Sequence, residues 1–281
     1  MDKILFRFYI TLISTFIVII NVVPLLFINI NNFINLIDTK WDIFFNKSEI
    51  EVNIDLDKSN IIIMFDDGWK SQYEIAYKYM IKKNMRGSIA IIPSVVDDSS
   101  YANMANIYEM YDSKWDILNH TYSHVLLPSL TYFDQKKEIE KSVSWFKNKK
   151  IVNNLNLLVY PEGLYNYNTT KILKELNFIS ARSTIDGYNT NIIDDKYNIK
   201  IKDVKSFIQP STVIEWINYS IDNKLTLILL FHNLSNKITS DMSYKIDDFF
   251  NIIDYIEIKK ESLNIITYSD WIRAINLYNQ W

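Results

Sequence analysis

From residue 60 onward, short apolar segments alternate with segments of helical spacing, and this alternation constrains the fold more than any other feature. A continuous apolar run such as Ile61–Phe65 is typical of a strand that is buried on both faces. Strands are predicted at 61–65, 88–92, 115–119, 155–160, 178–182, 199–204, 225–231 and 263–267. Helices are predicted at 71–84, 101–112, 133–149, 168–177, 210–222, 243–258 and from Asp270 onward. Such an α/β pattern predicts either a single parallel barrel or a doubly wound sheet.

The first thirty residues differ from the rest of the chain. Lys3 and Arg7 precede the uncharged, mostly apolar run 8–30, which is long enough as a helix to cross a hydrocarbon core of ~30 Å. The positive charge before the run predicts that the N-terminus stays inside and that the rest is translocated. Because the first alanine is Ala76, no A-x-A cleavage signal follows the run, and we favour a signal-anchor. A cleaved signal peptide and a buried core helix are the alternatives.

Residues 31–59 are rich in asparagine and acidic residues, and we interpret them as a stalk between the segment 1–30 and a domain at 60–281. We therefore expect a transmembrane helix to anchor the protein in a membrane, with the domain outside the cytoplasm. If the first segment is cleaved, the protein is expected to be secreted.

Composition excludes several classes of site. The chain has no cysteine, which excludes a disulfide framework, a thiolate metal site and a cysteine nucleophile. It has only four glycines, none close enough to another to form a Rossmann or P-loop phosphate loop. The net charge is −3 and no basic stripe occurs, which argues against a nucleic-acid partner.

Residues that could form a functional site follow several of the predicted strands. They are Asp66 and Asp67 after the first strand, His120 and His124 after the third, Pro161, Glu162 and Gly163 after the fourth, Arg182 at the end of the fifth, and His232 after 225–231. Each has an ordinary explanation, such as a solvated acidic turn or a hydrogen-bonded core histidine. Their coincidence at strand ends is better explained by a site, because active sites of parallel α/β folds lie there.

Three blocks resemble the motifs of the polysaccharide deacetylase family, also called carbohydrate esterase family 4. They are the Asp-Asp-Gly turn at 66–68, the His-Thr-Tyr-Ser-His block at 120–124 and the strand-terminal His232, and the closing sequence at 267–271 is also similar. The resemblance covers about residues 60–281. It implies a distorted (β/α) barrel of about seven parallel strands.

The resemblance also implies a role for each of these residues. Asp67, His120 and His124 would bind one divalent metal ion, zinc by preference, with cobalt or nickel as alternatives. Two imidazoles and one carboxylate leave open positions for a water and a substrate carbonyl, so the donor set suits hydrolysis. Asp66 would be the general base, and His232 the general acid that protonates a leaving amine.

The chain departs from the family pattern in its third block. Val159 stands where the family has an arginine that pairs with the base, and we expect Arg182 to take that role; the alternative is a surface arginine. By the same resemblance, a backbone N–H near Glu162 would bind the oxyanion. The acid partner of the last histidine is open, and Asp186 is one candidate.

The sequence therefore predicts a metal-dependent hydrolase that removes acetyl groups from N-acetylated sugars of a cell-envelope or extracellular polysaccharide. An O-acetyl polysaccharide esterase would use the same residues. A third alternative is a non-catalytic envelope protein that binds carbohydrate. It is disfavoured because the proposed base, metal ligands and acid are all present: Asp66, Asp67, His120, His124 and His232.

Overall fold

The computed structural model describes residues 54, 55 and 57–278, with side chains up to residue 275. Within these residues, no helix is both long and apolar enough to cross a membrane. The predicted signal-anchor at 1–30 and most of the predicted stalk at 31–59 lie outside the described residues.

Seven parallel strands form a closed ring. They are β1 (Ser59–Phe65), β2 (Ser88–Ile91), β3 (Asp116–Asn119), β4 (Leu157–Val159), β5 (Ser180–Asp186), β6 (Ile199–Asp203) and β7 (Thr226–Phe231). Each strand pairs with the next, and β1 also pairs with β7 from Asn60–Thr226 to Phe65–Phe231. This closure confirms the parallel barrel and excludes the doubly wound sheet.

Three further strands complete the described sheets. The short strands β8 (Asn233–Leu234) and β9 (Ser243–Tyr244) pair with each other. Strand β10 (Leu263–Ile265) pairs with the first residues of β1, whereas β2 pairs with β1 only at Met64 and Phe65. The barrel is therefore distorted where β10 lies beside the start of β1.

The helices alternate with the strands close to the predicted positions. Segment α1 comprises a π-helical stretch Gln72–Tyr77, an α-helical turn Lys78–Met80 and a 3-10 turn Ile81–Lys83. The others are α2 (Met104–Asp112), α3 (Tyr132–Asn148), α4 (Tyr167–Glu175), α5 (Pro210–Asp222), α6 (Ile246–Ile258) and α7 (Tyr268–Tyr278). The π-helical geometry of α1 has no counterpart in the sequence prediction.

Five helical segments end on a left-handed residue that is asparagine or lysine, although glycine is usual at this position. These residues are Asn84, Lys114, Lys150, Asn177 and Lys224, with φ between 53° and 64°. The following residue is apolar in every case, and its N–H donates to the carbonyl five residues earlier, at 2.9–3.1 Å; these residues are Met85, Trp115, Ile151, Phe178 and Leu225. Each helix end thus fixes the direction of the chain toward the next strand.

The core surrounds the strands on both faces. Every residue of β1 and of β7 is buried, which explains why these strands read as continuous apolar runs. The carboxyl ends of these two strands are therefore held in a packed interior, next to the side chains considered below.

Candidate active site

The strand ends bring the candidate residues to one face of the barrel. Asp66 and Asp67 follow β1, His120 follows β3, and His232 follows β7. Register explains two of the neighbours: Phe65 pairs with Phe231, so the residues after β1 and β7 begin side by side.

Asp67, His120 and His124 form a group that could hold a metal ion. One ligand atom from each lies within 4.8 Å of the others. Oδ1 of Asp67 lies 3.5 Å from Nε2 of His120 and 3.5 Å from Nε2 of His124. A carboxylate oxygen and two imidazole nitrogens are ligands typical of zinc and related divalent ions.

Contacts outside the triad orient its side chains. Nδ1 of His120 donates to the carbonyl of Val159 at 2.8 Å, so its Nε2 carries the free lone pair. Oδ2 of Asp67 accepts a hydrogen bond from the indole N–H of Trp69 at 2.9 Å, so Oδ1 is the oxygen that faces the histidines. Asp67 and His124 have left-handed backbones, with φ of 77° and 59°. Such strain at non-glycine residues is common at functional sites.

Helix α3 supports the loop that carries His124. The backbone N–H and the hydroxyl of Ser123 donate to the carboxylate of Glu138, at 2.5 and 2.8 Å. The ammonium of Lys141 lies 3.7 Å from the centre of the Tyr122 ring. These supports could not be predicted from the sequence, because they depend on which side of α3 faces the loop.

The pKa values of the triad reflect burial and mutual charge. Burial would raise the pKa of Asp67, but the hydrogen bond to His120 and the charges of nearby histidines lower it well below its usual range. Burial and the neighbouring His120 lower the pKa of His124. At His120, the carboxylates of Asp66 and Asp67 outweigh burial and raise the pKa.

Asp66 lies next to the triad and is bound by Arg182. Nη2 of Arg182 contacts both carboxylate oxygens of Asp66, and the two side chains are only 0% and 5% exposed. Oδ2 of Asp66 lies 3.8 Å from Nε2 of His120. In the register of β4 and β5, Arg182 pairs with Val159, the position at which the family has its arginine. The Arg182 side chain therefore begins beside that position. The alternative of a surface arginine is wrong.

His232 faces Asp203, which was not among the predicted site residues. Its Nδ1 lies 3.9 Å from Oδ1 of Asp203, and Oδ1 has no hydrogen-bond partner among the described residues. Burial raises the pKa of Asp203. The suggested Asp186 is instead exposed and bound to Lys202 at 2.7 Å. Asp203 ends β6, so the rule that selected the other residues would have found it.

The turn at 161–163 holds its backbone in an unusual conformation. Glu162 and Gly163 have φ of 53° and 69°, and a Cβ on Gly163 would lie 2.1 Å from Oγ1 of Thr184. The N–H of Gly163 donates to the carbonyl of Tyr160 at 2.9 Å. Glycine is therefore required at 163 by both the backbone angle and the contact with β5.

Comparison with known proteins identifies related sequences. The family model described as polysaccharide deacetylase matches residues 53–180, which include Asp66, Asp67, His120 and His124 but neither Arg182 nor His232. YxkH of Bacillus subtilis (strain 168), whose name assigns it to the polysaccharide deacetylases, is 28% identical over 127 residues. The match covers 45% of this chain and 45% of YxkH, less than half of that relative's length.

Solved structures share the fold. A Mycobacterium smegmatis protein assigned to the polysaccharide deacetylases has a TM-score of 0.60 at 11% identity, over 80% of this chain and 92% of its own. Peptidoglycan deacetylase PdaC from Bacillus subtilis has a TM-score of 0.51 at 16% identity, over 81% and 96%. BA3943 from Bacillus anthracis, described as a pseudoenzyme of carbohydrate esterase family 4, has 0.53 at 12%, over 76% and 66%. Since one of these proteins is a pseudoenzyme, any argument for activity must rest on the side chains of the site.

Proposed function

Because this chain belongs to the polysaccharide deacetylase family through residues 53–180, we propose that it is a metal-dependent hydrolase. Its proposed substrates are N-acetylated sugars of a cell-envelope or extracellular polysaccharide. The observation that carries the proposal is the position of Asp66, a buried carboxylate held by Arg182 at 3.8 Å from the ligand group of His120. A general base needs this position, close to the metal-binding group without belonging to it.

The residues present fit a divalent ion. Asp67, His120 and His124 supply three ligand atoms, and three protein ligands leave open positions, as in catalytic zinc sites. The bond from His120 to the carbonyl of Val159 presents Nε2 to the site, as is usual for a metal-binding histidine. When bound, the ion would polarise the acetyl carbonyl and lower the pKa of a coordinated water. We propose zinc, with cobalt and nickel as alternatives.

Asp66 and Arg182 supply the base. Asp66 takes the proton of the attacking water, and contact with both of its oxygens fixes the carboxylate in one orientation. We assign the oxyanion contact to the N–H of Glu162. Pro161 has no N–H, and that of Gly163 is used within the turn.

His232 supplies the acid. Its imidazole protonates the amine nitrogen as the carbon–nitrogen bond breaks, because an amine leaves poorly without a proton. Asp203, 3.9 Å away, is placed to orient the imidazole. The oxygen of water enters the acetate, so the products are acetate and a sugar with a free amine.

The test is acetate release from purified protein loaded with zinc, cobalt or nickel. Substrates are chitooligosaccharide, poly-N-acetylglucosamine, peptidoglycan and acetylated xylan. Release from the first three, lost in Asp67→Ala together with bound metal and lost in His232→Ala with metal retained, is the expected result. Release from xylan alone would favour the O-acetyl esterase. No bound metal and no release would favour a non-catalytic carbohydrate-binding protein.

We also propose that residues 1–30 anchor the protein in a membrane, because charged residues flank an uncharged run there. Expression of the full chain and of a form lacking 1–30, followed by fractionation, tests this proposal. Recovery of both forms in the soluble fraction would contradict it.

A further inference from the structure

Gln72 connects the two strand ends that carry the proposed base and acid. It is the first residue of the π-helical stretch of α1, and its side chain is fully buried. Its amide Nε2 donates to the carbonyl of Asp66 at 2.5 Å and to the carbonyl of His232 at 3.1 Å. One side chain therefore uses both of its N–H bonds on the backbones of these two residues.

The bridge lies where backbone pairing between β1 and β7 stops. The last backbone contact between these two strand ends is the bond from the N–H of Asp66 to the carbonyl of Phe231, at 3.1 Å. Beyond it, the carbonyls of Asp66 and His232 receive their donors from Gln72. Gln72 thus connects the two strand ends just beyond their last backbone hydrogen bond, at the residues proposed for proton transfer.

The neighbouring residue strengthens the same connection. The hydroxyl of Ser71 donates to Oδ1 of Asn233 at 2.9 Å and accepts from the N–H of Leu234 at 3.0 Å. Both Ser71 and Gln72 therefore bind the segment that follows β7. π-Helical turns are rare overall, but those that occur are often found at functional sites.

The orientation of the Gln72 amide is determined by its partners, since the flipped amide would place an oxygen against two carbonyl oxygens. The amide oxygen is buried without a hydrogen-bond partner among the described residues. An unpaired buried oxygen costs stability, so the side chain is not optimised for folding alone.

We propose that Gln72 is a positioning residue that sets the spacing between Asp66 and His232 for the two proton transfers. This inference rests on the proposed function. Both N–H bonds of Gln72 go to backbone carbonyls, and neither goes to a ligand atom of Asp67, His120 or His124. Its effect is expected on the chemical step, because small displacements of catalytic groups are costly.

The test compares Gln72→Met with Gln135→Met. Gln135 is a matched control, because it is equally buried and its amide also ties together separate segments, through Leu130 at 3.2 Å and Thr169 at 2.7 Å. We expect Gln72→Met to lower kcat by about 10- to 100-fold, with KM and the Kd for zinc unchanged. Gln135→Met should lower Tm to a similar extent and leave kcat unchanged.

A second measurement needs neither turnover nor metal. In the metal-free protein with labelled carbonyl carbons, the 13C resonances of Asp66 and His232 should shift in Gln72→Met and not in Gln135→Met. Unshifted resonances, a kcat within twofold of the wild type, or a loss of zinc affinity that accounts for the loss of kcat would each overturn the inference. Absence of acetate release from the wild type would overturn the proposed function instead, while the resonances would still test the bridge.

Discussion

Replacement of Arg182 by methionine should separate the stability of the site from its chemistry. The guanidinium and the Asp66 carboxylate are 0% and 5% exposed, so Arg182→Met leaves a buried carboxylate without its main partner. Breaking a buried ion pair in this way costs about 3–5 kcal/mol. Because His120 also lies 3.8 Å from the carboxylate, we take the lower limit, about 3 kcal/mol. For a domain of this size, that corresponds to a fall in Tm of roughly 10 °C.

Thermal unfolding of three variants tests this magnitude. Asp66→Asn combined with Arg182→Met should be less destabilised than Arg182→Met alone, since the unpaired buried charge is then absent. A control is Arg86→Met, which breaks a different and only partly buried ion pair, with Asp270 at 2.7 Å. Arg86 precedes β2 and therefore lies at the end of the barrel opposite to the site.

Acetate release completes the experiment. Arg182→Met should lower kcat by about 10²-fold at a temperature at which the variant is folded, whereas Arg86→Met should change only stability. A double variant that is at least as destabilised as Arg182→Met alone would contradict the predicted cost of the unpaired carboxylate. The reasoning would also be refuted if Arg182→Met kept wild-type turnover.

Three further predictions concern single contacts. Trp69→Phe removes the indole N–H from Asp67 and keeps an aromatic ring, so calorimetry should show about tenfold weaker zinc binding; equal affinity would contradict the assigned contact. Burial raises the pKa of Asp203 in the folded state above its ordinary value of 3.8. The contribution of Asp203 to the free energy of unfolding is therefore greatest below pH 3.8 and is lost as the pH rises through the raised pKa. Asp203→Asn should therefore resist urea better than the wild type at pH 7 and equally at pH 3, and the reverse order would show that its ion pairs dominate. Gly163→Ala should unfold at a lower urea concentration, with a free energy of unfolding that is lower by about 1–3 kcal/mol, because its Cβ would meet Thr184 at 2.1 Å and its φ is 69°.

Much of the fold could be predicted because strands such as β1 and β7 are buried along their whole length. Continuous apolar runs such as 225–231 cannot belong to a half-exposed sheet, and their alternation with amphipathic helices indicates parallel strands. Closure into a barrel could not be predicted from the residues alone. It depends on the pairing of β1 with β7, which lie at opposite ends of the sheet in chain order.

The candidate site divides in a similar way. Residues that directly follow strands could be located from the sequence, because the strands deliver them to one face. The contacts of Gln72, Trp69 and Glu138 could not, since they depend on the rotation of a helix or on the shape of a turn. Asp203 could have been found because it ends β6, whereas the candidate Asp186 lies at the surface and is bound by Lys202.

The left-handed helix ends bear on how this protein can be engineered. Lys114, Lys150 and Lys224 adopt a left-handed backbone angle that costs an L-amino acid about 1–2 kcal/mol. Glycine avoids this cost, but its greater freedom in the unfolded chain cancels part of the gain. Replacing each lysine with glycine should therefore raise the unfolding free energy by about 0.5–1 kcal/mol. Because the three lysines end different helices and their backbone N–H groups donate to different residues, the gains should add. The few glycines in this sequence thus leave a reserve of stability that could offset destabilising changes made at the site.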